Sequence, residues 1–497
     1  MRVLLAVFAL LILAAPAAAA SPFTVETFGD LGPITQKAYD DLDGDGKSEI
    51  ILMSGHRVSI FRMKEEGGYG DRPAWTLDLA ADALYFDVAQ VDADPSTREI
   101  VLVTPRGVTF HAIRRGVPKP RAELLVAAEN LVTRGQEDDV HWRGFLRDLD
   151  GDGLTDIVLP TAAGFALYYQ GKHPETGAPG VWPAAPDRVV PIRLRSSFSV
   201  GEPGLTGFLH GELGVPDFRI KDFNGDGRND FAVDDGRSLR IFRADDENRI
   251  GAKSSETIDL TPLADAAGNL PRLRIRDLSG DGIPDFLVTH RYEGVTDLFL
   301  GGKPFEKPAL TIRLNGWAFD PRVTDLNADG RPDLIIPVTS RVGAVAALRL
   351  VATGVISVHN HVFLNTGDAT SPFPARADVV RTLQLSIRLY VDGTGRVRTA
   401  HTLLVELSGD FTGDGRNDLV YYQGSNRLAF YAGVRDGLFM EDPYLRVRIP
   451  DTDGVENLSS VVLDLDGDGK SDLALAYRAK DRKADRVVLL LTGGGKK

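Results

Sequence analysis

Residues 464–472 read Asp-Leu-Asp-Gly-Asp-Gly-Lys-Ser-Asp, and this nine-residue pattern decides the fold because it recurs along nearly the whole chain. Side-chain oxygens occupy positions 1, 3, 5 and 9, and the residue at position 7 can offer its backbone carbonyl. Gly469 at position 6 permits the sharp turn that closes such a loop. Oxygen donors in this arrangement suit a hard cation, so the pattern predicts a Ca²⁺-binding loop.

Six further complete copies precede this one, and each has a glycine at position 6. The predicted metal ligands of the seven loops, including the residue at position 7, are Asp41, Asp43, Asp45, Lys47, Glu49; Asp148, Asp150, Asp152, Leu154, Asp156; Asp222, Asn224, Asp226, Arg228, Asp230; Asp277, Ser279, Asp281, Ile283, Asp285; Asp325, Asn327, Asp329, Arg331, Asp333; Asp410, Thr412, Asp414, Arg416, Asp418; and Asp464, Asp466, Asp468, Lys470, Asp472. Because position 9 carries a carboxylate in every copy, little room remains for a substrate, and we expect structural rather than catalytic ions. Ser279 and Thr412 are neutral at position 3, so these two loops should bind more weakly than the fully acidic loops that begin at residues 41, 148 and 464.

A damaged eighth copy lies in the wide gap between the first two loops. Gln90, Asp92 and Asp94 occupy positions 1, 3 and 5, but Pro95 replaces the turn glycine and Glu99 arrives one residue late. Since proline cannot adopt a left-handed conformation, this copy should keep its strands and lose its ion. Eight units over the chain leave about 60 residues each, which is typical of four-stranded propeller blades.

Each loop is followed by an apolar β run, such as EIILM at 49–53 and DLALA at 472–476, which we interpret as a buried inner strand. A second strand follows in most units. A helical EF-hand is disfavoured because it requires a glutamate at position 12, where the first and last copies have Leu52 and Leu475. The prediction is an all-β, single propeller of eight four-stranded blades, with seven as the alternative count.

Composition and charge fit a globular protein that binds cations. The chain has 497 residues, of which 43% are hydrophobic and 26% charged, and its formal net charge is −13. The seven complete loops hold 24 Asp or Glu side chains at positions 1, 3, 5 and 9. Seven divalent ions would nearly neutralise the protein. We see no basic stripe in the sequence, which disfavours a nucleic-acid partner.

Residues 1–20 predict a secretory signal peptide, with Arg2, an apolar run from Val3 to Ala15, and small residues at Ala18 and Ala20. We expect cleavage before Ser21, leaving residues 21–497 as one propeller domain that is secreted, periplasmic or on the cell surface. The chain has no cysteine, so neither a lipid-anchored cysteine nor a disulfide is available. Outside many cells Ca²⁺ could stabilise the fold instead. No later segment is apolar enough to span a membrane.

The nine-residue repeat resembles the FG-GAP/VCBS repeat of integrin-α-type β-propellers, and the resemblance covers almost all of the mature chain. It implies a propeller fold and structural Ca²⁺. Similar proteins include adhesion modules, propeller lectins and calcium-containing lyases that act on pectic polysaccharide, so the resemblance leaves function open. Eight predicted blades differ from the seven of integrins, and integrin ligand sites therefore cannot be transferred directly.

Two insertions interrupt the regular spacing. Residues 172–214 are rich in Pro and Gly, while 341–357 have near-helical apolar spacing and predict a short amphipathic helix. We expect the helix and the link at 201–214 to lie on the face opposite the acidic loops, which integrin-type propellers use for ligands. Candidate contact residues there are Phe208, His210, Arg341 and Arg349. At the chain ends, residues 23–28 should pair with the last blade and close the ring.

Motif searches find no catalytic signature: no G-x-S-x-G, no H-E-x-x-H, no P-loop and no cysteine nucleophile. We therefore expect a monomeric, non-catalytic binding or adhesion module with an unknown protein or glycan ligand. A lectin is the first alternative and a polysaccharide lyase the second. Tyr168, Tyr169, Tyr421, Tyr422 and Tyr431 could line sugar pockets, although aromatic residues in such strands more often belong to the core. His359 and His361 should share one side of a strand, with no third metal ligand in view.

Overall fold

The computed structural model forms a ring of eight sheets, in which the successive strands of each blade are antiparallel. It describes residues 23–29, 32–114, 116–129, 131, 140–142, 144–192, 195–200, 209–265, 268–341, 353–386, 388–391, 397–400, 405–424, 426–434, 438–452, 455–479 and 485–493. Residues 1–20, and with them the predicted signal peptide, lie outside this part of the chain. Among the residues described, no helix has the length and apolar character that a membrane span requires.

Each sheet is one blade, and its strands follow one another in chain order except at the closure of the ring. The strands are, for blade 1, Gln36–Asp40, Glu49–Ser54, Arg57–Phe61 and Trp75–Asp78; blade 2, Tyr85–Ala89, Glu99–Thr104, Gly107–His111 and Glu123–Ala127; blade 3, Leu146–Arg147, Asp156–Thr161, Gly164–Tyr168 and Arg188–Val190; blade 4, Asp217–Lys221, Asp230–Asp234, Ser238–Phe242 and Glu256–Asp259. The strands of the second half are, for blade 5, Arg272–Arg276, Asp285–His290, Val295–Phe299 and Leu310–Arg313; blade 6, Trp317–Ala318 with Arg322–Thr324, then Asp333–Thr339, Val355–Phe363 and Val379–Ser386; blade 7, Val405–Gly409, Asp418–Gly424, Arg427–Tyr431 and Leu445–Arg448; blade 8, Val455–Leu463, Asp472–Ala479, Arg486–Thr492 and Phe23–Phe28.

Additional short elements decorate the blades. His141–Trp142 pairs in parallel with the first strand of blade 2. A 3₁₀ helix spans Thr261–Leu263. Within the described ranges, four hairpins lie outside the eight blades: Ile113–Arg114 with Val117–Pro118, Arg195–Val200 with Leu209–Gly214, Arg388–Val391 with Val397–Ala400, and Gly433–Val434 with Leu438–Phe439.

The prediction of eight four-stranded blades is confirmed, and so is the closure of the ring by the N-terminal strand. Phe23–Phe28 pairs antiparallel with Arg486–Thr492, from Phe23 opposite Thr492 to Phe28 opposite Val487. The apolar runs after the acidic loops are indeed buried, as the burial of every residue from Glu49 to Met53 shows. They form the second strand of each blade rather than the innermost one.

The innermost strand of each blade is its first strand, because these strands contact one another across the blade boundaries. Lys37 Nζ of blade 1 donates to Ser459 Oγ of blade 8 at 3.4 Å. The Leu146 amide of blade 3 donates to the Asp87 carboxylate of blade 2 at 3.1 Å. Radial sheets converge at the centre of a propeller, so strands that touch in this way line its axis.

The apolar core is divided among the blade interfaces. The described residues form eight buried clusters, and each cluster contains residues from two neighbouring blades, including the pair formed by blades 8 and 1. The N-terminal strand contributes to two of them, with Phe23 packed against blade 7 and Phe28 packed against blade 1. Ring closure therefore completes two hydrophobic cores as well as a sheet.

The predicted helix at 341–357 is wrong for its last residues. Val355, Ile356 and Ser357 begin the third strand of blade 6 and pair with Ser386, Leu385 and Gln384. β-branched side chains favour this extended, paired conformation over a helix. Residues 342–352 lie outside the described part of the chain.

Candidate functional site

The seven complete acidic loops adopt the turn that the sequence predicts. Each joins the first strand of a blade to the second, and the glycine at position 6 has a positive φ, between 82° and 86°; these glycines are Gly46, Gly153, Gly227, Gly282, Gly330, Gly415 and Gly469. In the first loop the Asp41 carboxylate accepts hydrogen bonds from the amides of Gly44 and Gly46, at 2.7 and 2.9 Å. These bonds hold the loop closed around its carboxylates.

Position 4 also has a left-handed conformation, which the sequence analysis did not identify. Six loops have glycine there, with φ between 73° and 78°; they are Gly44, Gly151, Gly225, Gly280, Gly413 and Gly467. The loop that begins at residue 325 has Ala328 instead, with φ of 56°. A non-glycine residue in this conformation is strained. The recurrence of glycine at position 4 of six loops could have predicted this second left-handed residue from the sequence.

The carboxylate at position 9 ties each loop to its blade. In all seven loops it accepts a hydrogen bond from the amide at position 2, as Asp472 does from Leu465 at 2.8 Å; the other pairs are Leu42–Glu49, Leu149–Asp156, Phe223–Asp230, Leu278–Asp285, Leu326–Asp333 and Phe411–Asp418. In the six loops where it is an aspartate, its second oxygen accepts a hydrogen bond from an amide at the end of the third strand or just after it; for Asp472 that amide is Thr492, at 2.7 Å. These aspartates therefore support the strands as well as facing the loop.

Three loops bring carboxylate oxygens within 4.8 Å of one another: Asp41, Asp43 and Asp45; Asp148, Asp150 and Asp152; and Asp464, Asp466 and Asp472. These are the loops with an acidic residue at all four positions. In the first loop, Glu49 Oε1 and Asp43 Oδ1 are buried and have no hydrogen-bond partner among the described residues. A convergent all-oxygen donor set with buried oxygens that accept no hydrogen bond fits a Ca²⁺ ion.

Burial makes these carboxylates costly to ionise without a neighbouring positive charge. It raises the pKa of Glu49 to about 8 and that of Asp156 to about 7. The pKa of Asp418 and that of Asp472 are raised to about 6 for the same reason. A divalent cation would stabilise the ionised forms, so the residues are suited to hold one.

The damaged loop of blade 2 keeps both of its strands, as predicted. Glu99, although one residue late, still accepts the Val91 amide at 3.0 Å, and Thr97 Oγ1 donates to it at 2.7 Å. An arginine supplies positive charge here, because Arg114 Nη2 lies 2.5 Å from Asp92 Oδ2. The loss of the ion at this loop stays a prediction.

The insertion at 172–214 has two separate parts. Within its first part, the Trp182 indole N–H donates to the Val91 carbonyl at 2.9 Å, so the third connection of blade 3 covers the damaged loop of blade 2. Gly180 packs closely on Asp92: a Cβ atom added to Gly180 would lie 2.7 Å from the backbone carbonyl carbon of Asp92. In the second part, Arg195–Val200 and Leu209–Gly214 form the hairpin between blades 3 and 4.

Neighbouring loops contact one another around one face of the ring. The Arg98 amide of blade 2 donates to the Leu42 carbonyl at 3.1 Å, and the Ser48 amide donates to the Leu465 carbonyl at 2.9 Å. The Ser471 amide likewise donates to the Asp410 carbonyl at 2.8 Å. The damaged loop takes part in these contacts through Arg98, so it has a structural role between blades 1 and 2.

Cavities between blades open on the opposite face. One of about 480 Å³ lies between blades 8 and 1, one of about 560 Å³ between blades 4 and 5, and one of about 400 Å³ reaches from blade 5 to blade 7. Their lining residues include Gln36, Tyr292 and Arg272, which all lie at strand ends or turns away from the acidic loops. Of the candidate contact residues, Arg341 lies on this face and is exposed. His210 belongs to the hairpin described above, whereas Phe208 and Arg349 lie outside the described residues.

The proposed aromatic sugar pockets are not formed by the five tyrosines, since Tyr168, Tyr169, Tyr421, Tyr422 and Tyr431 are all buried. They belong to the cores between the blades. His359 and His361 lie in the third strand of blade 6 and are both half-buried. The His359 ring contacts Thr382 Oγ1 at 2.8 Å, and no third metal-binding side chain joins the pair among the residues described.

Comparison with known proteins gives one family match and a set of similar folds. The FG-GAP-like repeat model matches residues 277–336, which contain the loops beginning at 277 and 325. No curated protein matches the chain significantly.

Several solved structures are similar to this chain at low sequence identity. A lectin from Agrocybe aegerita, described as recognising non-reducing terminal N-acetylglucosamine, is 17% identical; the alignment covers 94% of this chain and 100% of the lectin, with a TM-score of 0.44. The dihydro-heme d1 dehydrogenase NirN is 13% identical, with 94% and 78% coverage and a TM-score of 0.37. The Photorhabdus luminescens Tc holotoxin pore is 15% identical, with 93% and 19% coverage and a TM-score of 0.32. Scores this low carry no argument about function. The chain is therefore an eight-bladed β-propeller that carries an FG-GAP-like repeat at residues 277–336.

Proposed function

We propose that this protein is an exported, calcium-stabilised propeller that acts as a non-catalytic binding module, with its ligand on the face opposite the acidic loops. The observation that carries the proposal is the position of the cavities. Three cavities of about 400–560 Å³ open on that face, where the connections have no acidic loops to form. Pockets of this size suit small ligands or terminal groups of larger ones.

The two faces of the ring differ in structure, and this difference supports the proposal. On one face, the loops hydrogen-bond to one another and present the carboxylates that fit Ca²⁺. The other face has the second connections of the blades and the links between blades, which can vary without disturbing the ion sites. Loops on a rigid scaffold are the common location of binding function in such folds.

A glycan array that includes neutral and acidic glycans, together with a pull-down from the exported fraction, tests the proposal with the Ca²⁺-loaded protein. For a ligand of the cavity between blades 4 and 5, Tyr292→Ala should weaken binding, because Tyr292 is 52% exposed and lines that cavity. Met440→Ala is the matched control, since Met440 is 44% exposed and lies in the third connection of blade 7, on the acidic-loop face.

Two results would contradict the proposal. The assignment of the ligand to this face would be wrong if Met440→Ala weakened binding while substitutions at all three cavities, including Tyr292→Ala, did not. If the protein released products from polygalacturonate or another polyuronide in Ca²⁺ buffer, the non-catalytic assignment would be wrong. Melting temperature and bound Ca²⁺ should be measured for each variant, because neither substitution touches a predicted metal ligand.

A further inference from the structure

Arginines occupy one side of the innermost strand of blade 5. Arg272, Arg274 and Arg276 are exposed and alternate with Leu273 and Ile275, which pack into the core between blades 4 and 5. The arginine side of this strand therefore faces away from blade 4, toward blade 6. Three guanidinium groups on one side of a five-residue strand repel one another unless an anion or solvent lies between them.

Two of these arginines meet two others from distant segments around one cavity. Arg272, Arg274, Arg291 and Arg322 all line the cavity of about 400 Å³ that reaches from blade 5 to blade 7. Its remaining wall is mostly apolar, and its other polar side chains are Asp320 and Asn360; the apolar residues are Phe319, Pro337, Val358, Leu385 and Val405. Four cations and one carboxylate thus line a cavity that also has an apolar wall.

Protein groups neutralise this charge incompletely. Among the described residues, the guanidinium groups of Arg272, Arg274 and Arg291 have no carboxylate within ion-pair distance. Arg291 lies over the Phe319 ring, 5.6 Å from its centroid. Arg322 Nη1 donates to the Val405 carbonyl at 2.5 Å, and its ion pair with Glu406 is long, at 4.0 Å.

Arg322 is half-buried and lies close to the like charge of Arg274, and both effects disfavour its charged form. Burial lowers the pKa of the Arg322 guanidinium, Glu406 raises it, and Arg274 lowers it further. The Glu406 carboxylate is itself shared, since it also accepts a hydrogen bond from Ser460 Oγ. The cavity therefore holds positive charge that a bound anion would stabilise.

From this arrangement we infer that the cavity between blades 5 and 7 is a binding site for a hydroxylated carboxylate, the chemical class of a sugar acid. The inference rests on the proposed binding function and assigns a ligand class to one of its cavities. Guanidinium groups bind carboxylates through paired N–H···O hydrogen bonds, which favours arginine wherever a planar oxyanion is recognised. Asp320 and Asn360 add hydrogen-bonding groups that suit ligand hydroxyls. The apolar wall suits the carbon skeleton of the same ligand.

Calorimetric titration of the Ca²⁺-loaded protein with D-glucuronate tests the inference. D-glucose is the neutral control ligand, and inorganic phosphate tests for general anion binding. Glucuronate should bind, glucose should not, and phosphate should bind more weakly than glucuronate. Arg274→Gln and Arg291→Gln should each weaken glucuronate binding at least tenfold, because a hydrogen bond to a charged group contributes about 1.5–3 kcal/mol.

Arg276→Gln is the matched control, because Arg276 shares the strand and the side with Arg274 but does not line the cavity. It should change affinity less than twofold. Failure of glucuronate to bind the wild type, equal losses in Arg274→Gln and Arg276→Gln, or phosphate binding as tight as glucuronate binding would each overturn the inference. If an array ligand still bound and Tyr292→Ala weakened it, the inference would fail while the proposed binding function stood.

Discussion

Closure of the ring by the N-terminal strand gives a quantitative prediction about stability. Phe28 is 5% exposed and its ring lies 4.8 Å from that of Phe61 in blade 1. Phe23 is 6% exposed and its ring lies 4.8 Å from that of Phe430 in blade 7. Replacing a buried phenylalanine with alanine typically costs about 3–5 kcal/mol of unfolding free energy. We therefore expect a loss in this range for Phe28→Ala and for Phe23→Ala separately.

The same strand offers an internal control. Val25 lies on the same side of the strand as Phe23 but is 40% exposed, so Val25→Ala should cost no more than about 0.5 kcal/mol. Because Phe23 and Phe28 belong to different clusters, the double variant should show the sum of the two losses to within about 0.5 kcal/mol.

Urea unfolding in saturating Ca²⁺, followed by tryptophan fluorescence and circular dichroism, measures these changes. Deletion of residues 21–30 should also lower the melting temperature sharply, since it removes the fourth strand of blade 8. The reasoning would be refuted if Val25→Ala cost as much as Phe28→Ala, or if the deletion left the melting curve unchanged.

Three further predictions concern the loops and the blade contacts. Removing Ca²⁺ with a chelator should lower the melting temperature strongly, since each of seven extracellular-type sites contributes about 1.4 kcal/mol at a tenfold excess of Ca²⁺. Mg²⁺ should restore the melting temperature poorly, and Asp92→Asn should leave the metal content unchanged. The Ca²⁺ assignment would be contradicted if the purified protein contained no metal and a chelator did not change its melting temperature. Ala328→Gly should raise the unfolding free energy by about 0.5–1 kcal/mol because glycine adopts the positive φ at this position without strain. Gly330→Ala, at φ of 82°, should lower the unfolding free energy. A lower urea midpoint for Ala328→Gly together with a higher one for Gly330→Ala would contradict the conformational argument. Burial raises the pKa of Asp87 to about 6, so its ionisation lowers the unfolding free energy of the wild type as pH rises from about 4 through about 6. The unfolding free energy of Asp87→Asn relative to that of the wild type should therefore be higher at pH 8 than at pH 4, by up to about 3 kcal/mol. A relative unfolding free energy that does not change with pH would exclude this mechanism.

The local features of the loops were predictable from the sequence because their causes are local. A left-handed turn requires glycine, and an oxygen ligand set requires Asp, Asn, Ser or Thr at short fixed spacings, as in Asp464 to Asp472. The repeat count then led to eight blades, and the unassigned strand pattern at 23–28 led to ring closure. The failed helix at 355–357 shows the limit of this approach, because apolar spacing alone did not distinguish a helix from a strand that pairs with Val379–Ser386.

The candidate ligand site depended on the tertiary structure, because its residues are distant in the chain. Arg274 and Arg322 belong to different blades, and Arg291 lies in a turn between two strands, so no sequence window contains the cluster. Likewise, the guanidinium of Arg114 beside Asp92 and the indole of Trp182 above Val91 could not be inferred from spacing. The turns of the loops and the burial of the strands after them were predictable without the structure, since they depend on backbone conformation and hydrophobic pattern. The ring decided which charged side chains meet, because that depends on how eight blades converge around one axis.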